Sequence, residues 1–285
     1  MGDYLNVGCG SRYAPGWINI DFNSVDTAVR ALDLSHGIPY PDDHFDVVYH
    51  SHVLEHLPRE GGAFLLRECH RVLRPGGVIR VVVPDLELLA RSYLRALEAA
   101  RAAAPNADAD HEWAVIHLID QLVRHQSGGE MLRYVAQANL PNLDYVVATW
   151  GAEASAIRSR LAVSASRGAR ERVRVALRGL AHAFCEGRVA SELRVRLSRI
   201  VLGGRGYAAL RVGWFRMRGE VHQWMYDYYS LARLLDTTGF QRVYRCTAGD
   251  SGIDGWAGFC LDTEADGSPY RPDSLYMEAS KAGST

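Results

Sequence analysis

Two groups of residues in this chain have the types and spacing to do chemistry. The first is Gly8-Cys9-Gly10 followed by Asp21. Glycines let a backbone turn sharply and let a ligand approach with no Cβ in the way. An acid at the tip of the next strand can take ribose hydroxyls. The full Gly-x-Gly-x-x-Gly fingerprint is missing, because Tyr13 stands at its last position, so the pattern suits a nucleoside without a pyrophosphate. A lone Gly-x-Gly is also an ordinary tight turn. The second group is His50-Ser51-His52 with Glu55 and His56, joined from afar by Asp85, His222 and Asp227. Histidine is the natural base near neutral pH, with Asp85 or Asp227 to orient it. His52 and His56 at i and i+4 could share a metal. The metalloprotease pattern puts Glu directly after the first His, whereas here it comes three later, so no metal is expected and His56 reads as structural. His222, with Trp224, Tyr226 and Asp227, reads equally as a packed aromatic hinge, and Asp85 as the cap of a helix beginning at Leu86.

The elements that must position these residues alternate. Tyr4–Val7 and Gly16–Asp21 read as short buried strands. Ala31–Leu34 reads as a third, ending near Asp33, and Phe45–Tyr49 as a central one with His50, Ser51 and His52 at its tip. Val53–Leu57 reads as a helical turn. Gly61–Leu73 has helical apolar spacing and is stopped by Arg74-Pro-Gly-Gly77. Val78–Val83 is the next strand. This alternation means a doubly wound, mostly parallel sheet covered by helices. It breaks off near Leu86, and the pattern is helical to about Met217, although Arg172–Leu177 also fits strand alternation. It resumes at His222, with a helix over Tyr229–Thr238, a strand over Gln241–Cys246, a Gly/Asp-rich loop over the site and a final strand over Ser274–Lys281. The expected division is therefore a core of residues 1–85 and 219–285 with a helical insertion at 86–218.

Composition narrows the partners. Net charge is −1 over 285 residues, so global charge calls for no polyanion. Residues 151–218 hold 15 arginines and 4 glutamates. A solvated helix face explains this, and a phosphate-bearing or membrane-surface substrate is the functional alternative. Five scattered cysteines without Cys-x-x-Cys fit reduced thiols and a cytoplasmic setting. The chain enters a strand at once, so no signal peptide is expected, and no apolar run has the length of a membrane span.

LNVGCG, the acid Asp21, LDL with Asp33, FDVVYHSHVLEHL and RVLRPGGVIRVVVPD together resemble the class I S-adenosylmethionine-dependent methyltransferases of the "methyltransferase 11" type. His222-x-Trp-Met-Tyr-Asp227 and SLYMEASK resemble a predicted bacterial subgroup. The resemblance implies a seven-stranded Rossmann-like sheet and S-adenosyl-L-methionine as cofactor. Gly8, Cys9 and Gly10 would meet its methionine part, with His50 beside it. Asp21 would hold the ribose, with Phe22 following, and Asp33 and Leu34 would meet the adenine. It implies O-methylation of a small-molecule or sugar/glycan-type acceptor, with His52 or His222 as base. N- or C-methylation of a natural-product intermediate, or a protein keeping the fold without methylating, are the alternatives. Nucleic acid ranks last, for want of a base-flipping motif, and a homodimer is left open. An excursion leaving the sheet after Pro84 departs from the ligand-binding edge. The insertion is accordingly expected to be a lid, with Gln121, Arg124 and Tyr226 facing the acceptor.

Overall fold

The computed structural model describes residues 2–22, 26–166 and 188–283. Arg172–Leu177, one of the ambiguous stretches, lies outside them. Seven strands form one sheet: β1 (Tyr4–Val7), β2 (Ile18–Asp21), β3 (Val29–Ala31), β4 (Phe45–Ser51), β5 (Leu73–Pro84), β6 (Gln241–Cys246) and β7 (Ser274–Ser280). Their order is β3-β2-β1-β4-β5-β7-β6. β1 to β5 pair in parallel, and β7 runs antiparallel to both β5 and β6. The order reverses between β1 and β4. In open α/β sheets that reversal opens a crevice beyond the strand ends, where ligands bind. The glycine turn leaves β1 and the histidine segment leaves β4, so the chemistry-bearing groups flank this point.

Strand alternation sorts the buried side chains onto two faces. Val48 of β4 joins Leu5, Val7, Ile79 and Val81 on one face, under α1 (Arg59–Val72). Leu65, Leu66, Cys69 and Val72 fill that helix's inner stripe. Val47 and Tyr49 point the other way, into Trp17, Trp256 and Tyr276. No helix of the described residues covers this second face at Trp256; the β6–β7 connection does, through the 3-10 turn Trp256–Phe259. Arg80, fully buried in β5, fastens that connection. Its guanidinium pairs with Asp262 at 2.8 Å and Glu278 at 2.6 Å, donates to the Thr247 carbonyl at 2.7 Å and lies 4.4 Å from the Trp256 ring centroid. An arginine inside the apolar run VIRVVV is thus satisfied by a loop far ahead in sequence.

Between Leu86 and Arg216 the described chain is helical: α2 (Leu86–Arg101), α3 (Ala107–Val123), α4 (Gly129–Val135), α5 (Leu143–Trp150), α6 (Ala152–Ser166) and α7 (Arg188–Arg216), the last kinked at Gly203. Trp113, Met131, Tyr134, Val146 and Trp150 give this segment a core of its own. The chain then returns through α8 (Tyr228–Thr237). Three local expectations shift. The third strand ends at Ala31, because Asp33 accepts from the Ser35 amide and starts a 3-10 turn over Leu34–His36. The turn after β4 is 3-10 over Leu54–His56. β5 begins at Leu73 rather than Val78: Leu73 pairs with Phe45, and Gly76 and Gly77 exchange backbone bonds with Lys281, so the Arg-Pro-Gly-Gly run stays attached to the sheet. Among the described residues no helix is long and apolar enough to cross a membrane.

Candidate functional site

The crevice at the switch point is lined by Asn6, Gly8–Arg12, Tyr49, Ser51 and His52, with Glu153, Leu261, Tyr270 and Arg271 opposite. β1 ends in it because Gly8 and Gly10 both take left-handed φ, 66° and 54°. Gly8 also has no room for a side chain: a Cβ would stand 2.3 Å from Cγ2 of Val53. Gly10 is the reverse, with nothing within 4 Å of its Cβ position. Its amide donates to Oδ2 of Asp21 at 2.9 Å, tying the turn to the tip of β2. The residues present therefore form a backbone cradle open toward solvent beside a carboxylate, which fits the aminoacyl and ribose parts of a nucleoside cofactor. Cys9 is buried, and that burial together with the Asp21 charge pushes its thiol up to about 11, so it is no nucleophile at neutral pH. Phe22 follows Asp21 with 71% of its surface exposed, an apolar ring at the edge of the site. Asp33 is exposed and caps the turn that Leu34 begins.

Beside this cradle, just past β4, stands His52, in a left-handed conformation (φ 55°) that a non-glycine residue adopts only when its surroundings hold it there. Its Nδ1 lies 3.1 Å from Oε1 of Glu55, and its Nε2 lies 3.0 Å from Oγ of Ser274. Glu55 is fully buried. Burial pushes its acid up, but the hydrogen bond and charge of His52 and the charges of His56 and His222 outweigh this and hold it near 2. An ionised carboxylate on Nδ1 fixes the tautomer with the proton there and leaves Nε2 as the basic nitrogen.

The other candidates are placed differently. Asp85 is buried at the start of α2. Its Oδ1 accepts from the amides of Glu87 and Leu88, and its Oδ2 pairs with Arg245 at 2.7 Å. Asp227 forms a capping box with Ser230 at the start of α8. The carboxylate that contacts His52 is thus Glu55. His50 is wholly buried, and neither ring nitrogen meets a partner among the described residues; burial lowers its pKa to about 4. His222 is 3% exposed and lies edge-on to His56, with ring centroids 4.9 Å apart. Burial lowers its pKa to about 4 as well. Tyr226 is packed in the core with its hydroxyl against Gly62, and burial raises its pKa to about 12. Arg124 caps α3 and is buried, with its guanidinium on Asp120 at 2.6 Å and Glu220 at 3.3 Å. Gln121 offers its carbonyl to the His222 amide at 2.9 Å.

The insertion meets the site at three points. His117 Nε2 lies 3.1 Å from Asp273, next to Ser274. Gln121 holds His222. Glu153 at the start of α6 pairs with Arg271 in the crevice wall. Sequence reasoning missed Glu153, Arg271, Tyr270 and Ser274. They have no local pattern and come together only through the fold. Arg80 did carry a signal, a lone charge in a buried strand.

Residues 5–81 match the family model of the methyltransferase domain. This segment is similar to a methyltransferase domain. A probable S-adenosylmethionine-dependent methyltransferase of Mycolicibacterium smegmatis is 39% identical over 100 residues, which cover 29% of this chain and 38% of that protein. The chain thus spans about two fifths of the length of that curated relative. Among solved structures, a SAM-dependent methyltransferase from Archaeoglobus fulgidus aligns at 23% identity over 32% of this chain and 50% of its own, with a TM-score of 0.26. An S-adenosylmethionine-dependent methyltransferase from Mesorhizobium loti aligns at 22% identity over 31% and 50%, with a TM-score of 0.24.

Proposed function

We propose that this protein is an S-adenosylmethionine-dependent methyltransferase that methylates an oxygen of a small-molecule or sugar-type acceptor, with His52 as general base. The observation that carries the reading is the presence, in one crevice at the switch point, of an open glycine cradle tied to Asp21 and a histidine oriented by a buried carboxylate. Gly8–Gly10 would receive the methionine part of the cofactor, Asp21 the ribose hydroxyls, and Phe22, Asp33 and Leu34 the adenine. The cofactor would supply a methyl group on a sulfonium sulfur, already activated for displacement. The chain's work is then alignment of the acceptor and removal of its proton. Nε2 of His52 would take the proton from the acceptor hydroxyl as that oxygen is methylated. Glu55 stabilises the imidazolium that results. Ser274 Oγ, now on Nε2, marks where an acceptor hydroxyl would sit. His222 serves less well as base, because it is buried against His56 and away from the crevice lining.

The insertion at 86–218 acts in this reading as the acceptor-side lid on a core of residues 1–85 and 219–285. Glu153 and its contact with Arg271 support it, as does the anchoring of α3 through His117 and Gln121 beside the site. Arg124 would brace that lid. A turnover screen tests the function: the protein with S-adenosylmethionine and a panel of sugars, glycolipid precursors and phenols, read as formation of the demethylated cofactor. Turnover with a hydroxyl acceptor supports it. Turnover confined to amine or carbon acceptors would replace O-methylation with the N- or C-methyl alternative.

A further inference from the structure

Glu55, His56 and His222 each offer a ligand atom, and the three atoms lie within 4.8 Å of one another. Glu55 and His56 are neighbours in the 3-10 turn after β4. His222 arrives from 166 residues further on, and its place is fixed by backbone bonds: the amides of Gln223 and Trp224 donate to the Glu55 carbonyl at 2.7 and 3.2 Å, and its own amide donates to Gln121. His56 Nδ1 lies 3.4 Å from the carbonyl of Val221, which can only accept. The proton is therefore on Nδ1, and Nε2 presents a lone pair 4.0 Å from Oε1 of Glu55. A second ring nitrogen tied to a backbone carbonyl is how proteins orient imidazoles as metal ligands. The other oxygen of the buried carboxylate, Oε2 of Glu55, has no hydrogen-bond partner among the described residues. A carboxylate oxygen left without a partner in the interior is costly. The edge-on packing of His56 and His222 explains how the rings fit together but gives Oε2 no partner.

We propose that Glu55, His56 and His222 form a binding site for a divalent first-row transition metal. Two imidazoles and one carboxylate suit zinc, cobalt or iron(II) better than calcium or magnesium, which prefer all-oxygen sets. Bound nitrogen and oxygen ligands stand about 2.0–2.2 Å from such ions, so the three side chains would close inward by about an ångström. Three protein ligands leave at least one position open. The ion would sit one carboxylate away from His52, since Glu55 would bridge the two through its separate oxygens. His52 and His56 suggest themselves as a pair in the sequence, but the fold replaces His52 with the distant His222.

The inference stands independently of methyl transfer, and its test reads metal directly. Full-length protein stripped with chelator is titrated with Co(II), followed by visible absorption, and with Zn(II), followed by calorimetry. One tight equivalent is expected. His56→Ala, His222→Ala and the size-conserving Glu55→Gln should each weaken it at least about 100-fold, while His125→Ala on the surface leaves it intact. Circular dichroism and the pair His56→Gln and His222→Gln guard against loss of fold. No binding of either ion by the stripped wild-type protein would overturn the proposal. So would an equivalent that survives in all three ligand variants.

Discussion

His50 lets the cost of burying a titratable group be worked out and measured. It lies near the C-terminal end of β4, between Val7 of β1 and Val81 of β5. It is fully buried, and its ring nitrogens find no partner among the described residues. Burial lowers its pKa from the ordinary 6.5 to about 4, opposed only weakly by the Glu55 charge. Because the folded value lies below the unfolded one, the unfolded chain binds the proton first as pH falls. His50 thus contributes its full stability above pH 6.5 and loses it progressively down to pH 4. With about 1.36 kcal/mol per pKa unit, the loss is about 2 kcal/mol at pH 5 and about 3 kcal/mol at pH 4 relative to pH 7.5. His50→Leu removes the group without breaking a described hydrogen bond, so it should be neutral or stabilising at pH 7.5. Urea unfolding followed by tryptophan fluorescence, repeated between pH 7.5 and 5, should show the variant gaining about 2 kcal/mol on the wild type. Subtraction removes the other acid-sensitive groups, His222 included. Parallel pH profiles, with a difference that stays constant across the range, would refute the reasoning.

Three further outcomes follow from the geometry. Gly8→Ala places a side chain in left-handed backbone against Val53 and should cost about 2–4 kcal/mol in chemical denaturation, with cofactor binding lost alongside. Arg80→Leu strands Asp262 and Glu278 in the interior. It should cost about 3–5 kcal/mol and loosen the β6–β7 connection, which limited proteolysis would detect as new cleavage near Trp256. His52→Ala should keep cofactor affinity and lower turnover about 10²–10⁴-fold, measured as demethylated cofactor formed. Undiminished turnover would remove His52 as base.

β1, β2, β4 and the second half of β5 were legible as short apolar runs closed by glycine, proline or a polar tip, whereas β3 (Val29–Ala31) is no such run and was expected two residues later. The antiparallel β7 and the sheet order were not in that pattern. The cap at Asp85 was legible as an aspartate before a helix, whereas Asp227, read as an orienting acid, turns out to cap a helix too. What a one-dimensional reading could not supply was which distant residue completes a site. His52 takes its second partner, Ser274, from the last strand. Glu55 is met by His222 from beyond the insertion. The crevice wall draws Glu153 from α6 and Arg271 from a loop. Such contacts depend on where the fold brings the chain back, and no local spacing encodes them. Tyr226 illustrates the converse: a motif tyrosine beside an acid looks reactive in sequence, yet the core encloses it.

The most direct test of the central claim is calorimetric binding of S-adenosylmethionine and its demethylated product to the wild-type protein and to Asp21→Ala. Both should bind the wild type with one molecule per chain. Losing the Asp21 carboxylate, which holds the Gly10 amide and would hold the ribose, should weaken both by at least about tenfold, the equivalent of one charge-assisted hydrogen bond. A wild-type protein that binds neither compound would contradict the account.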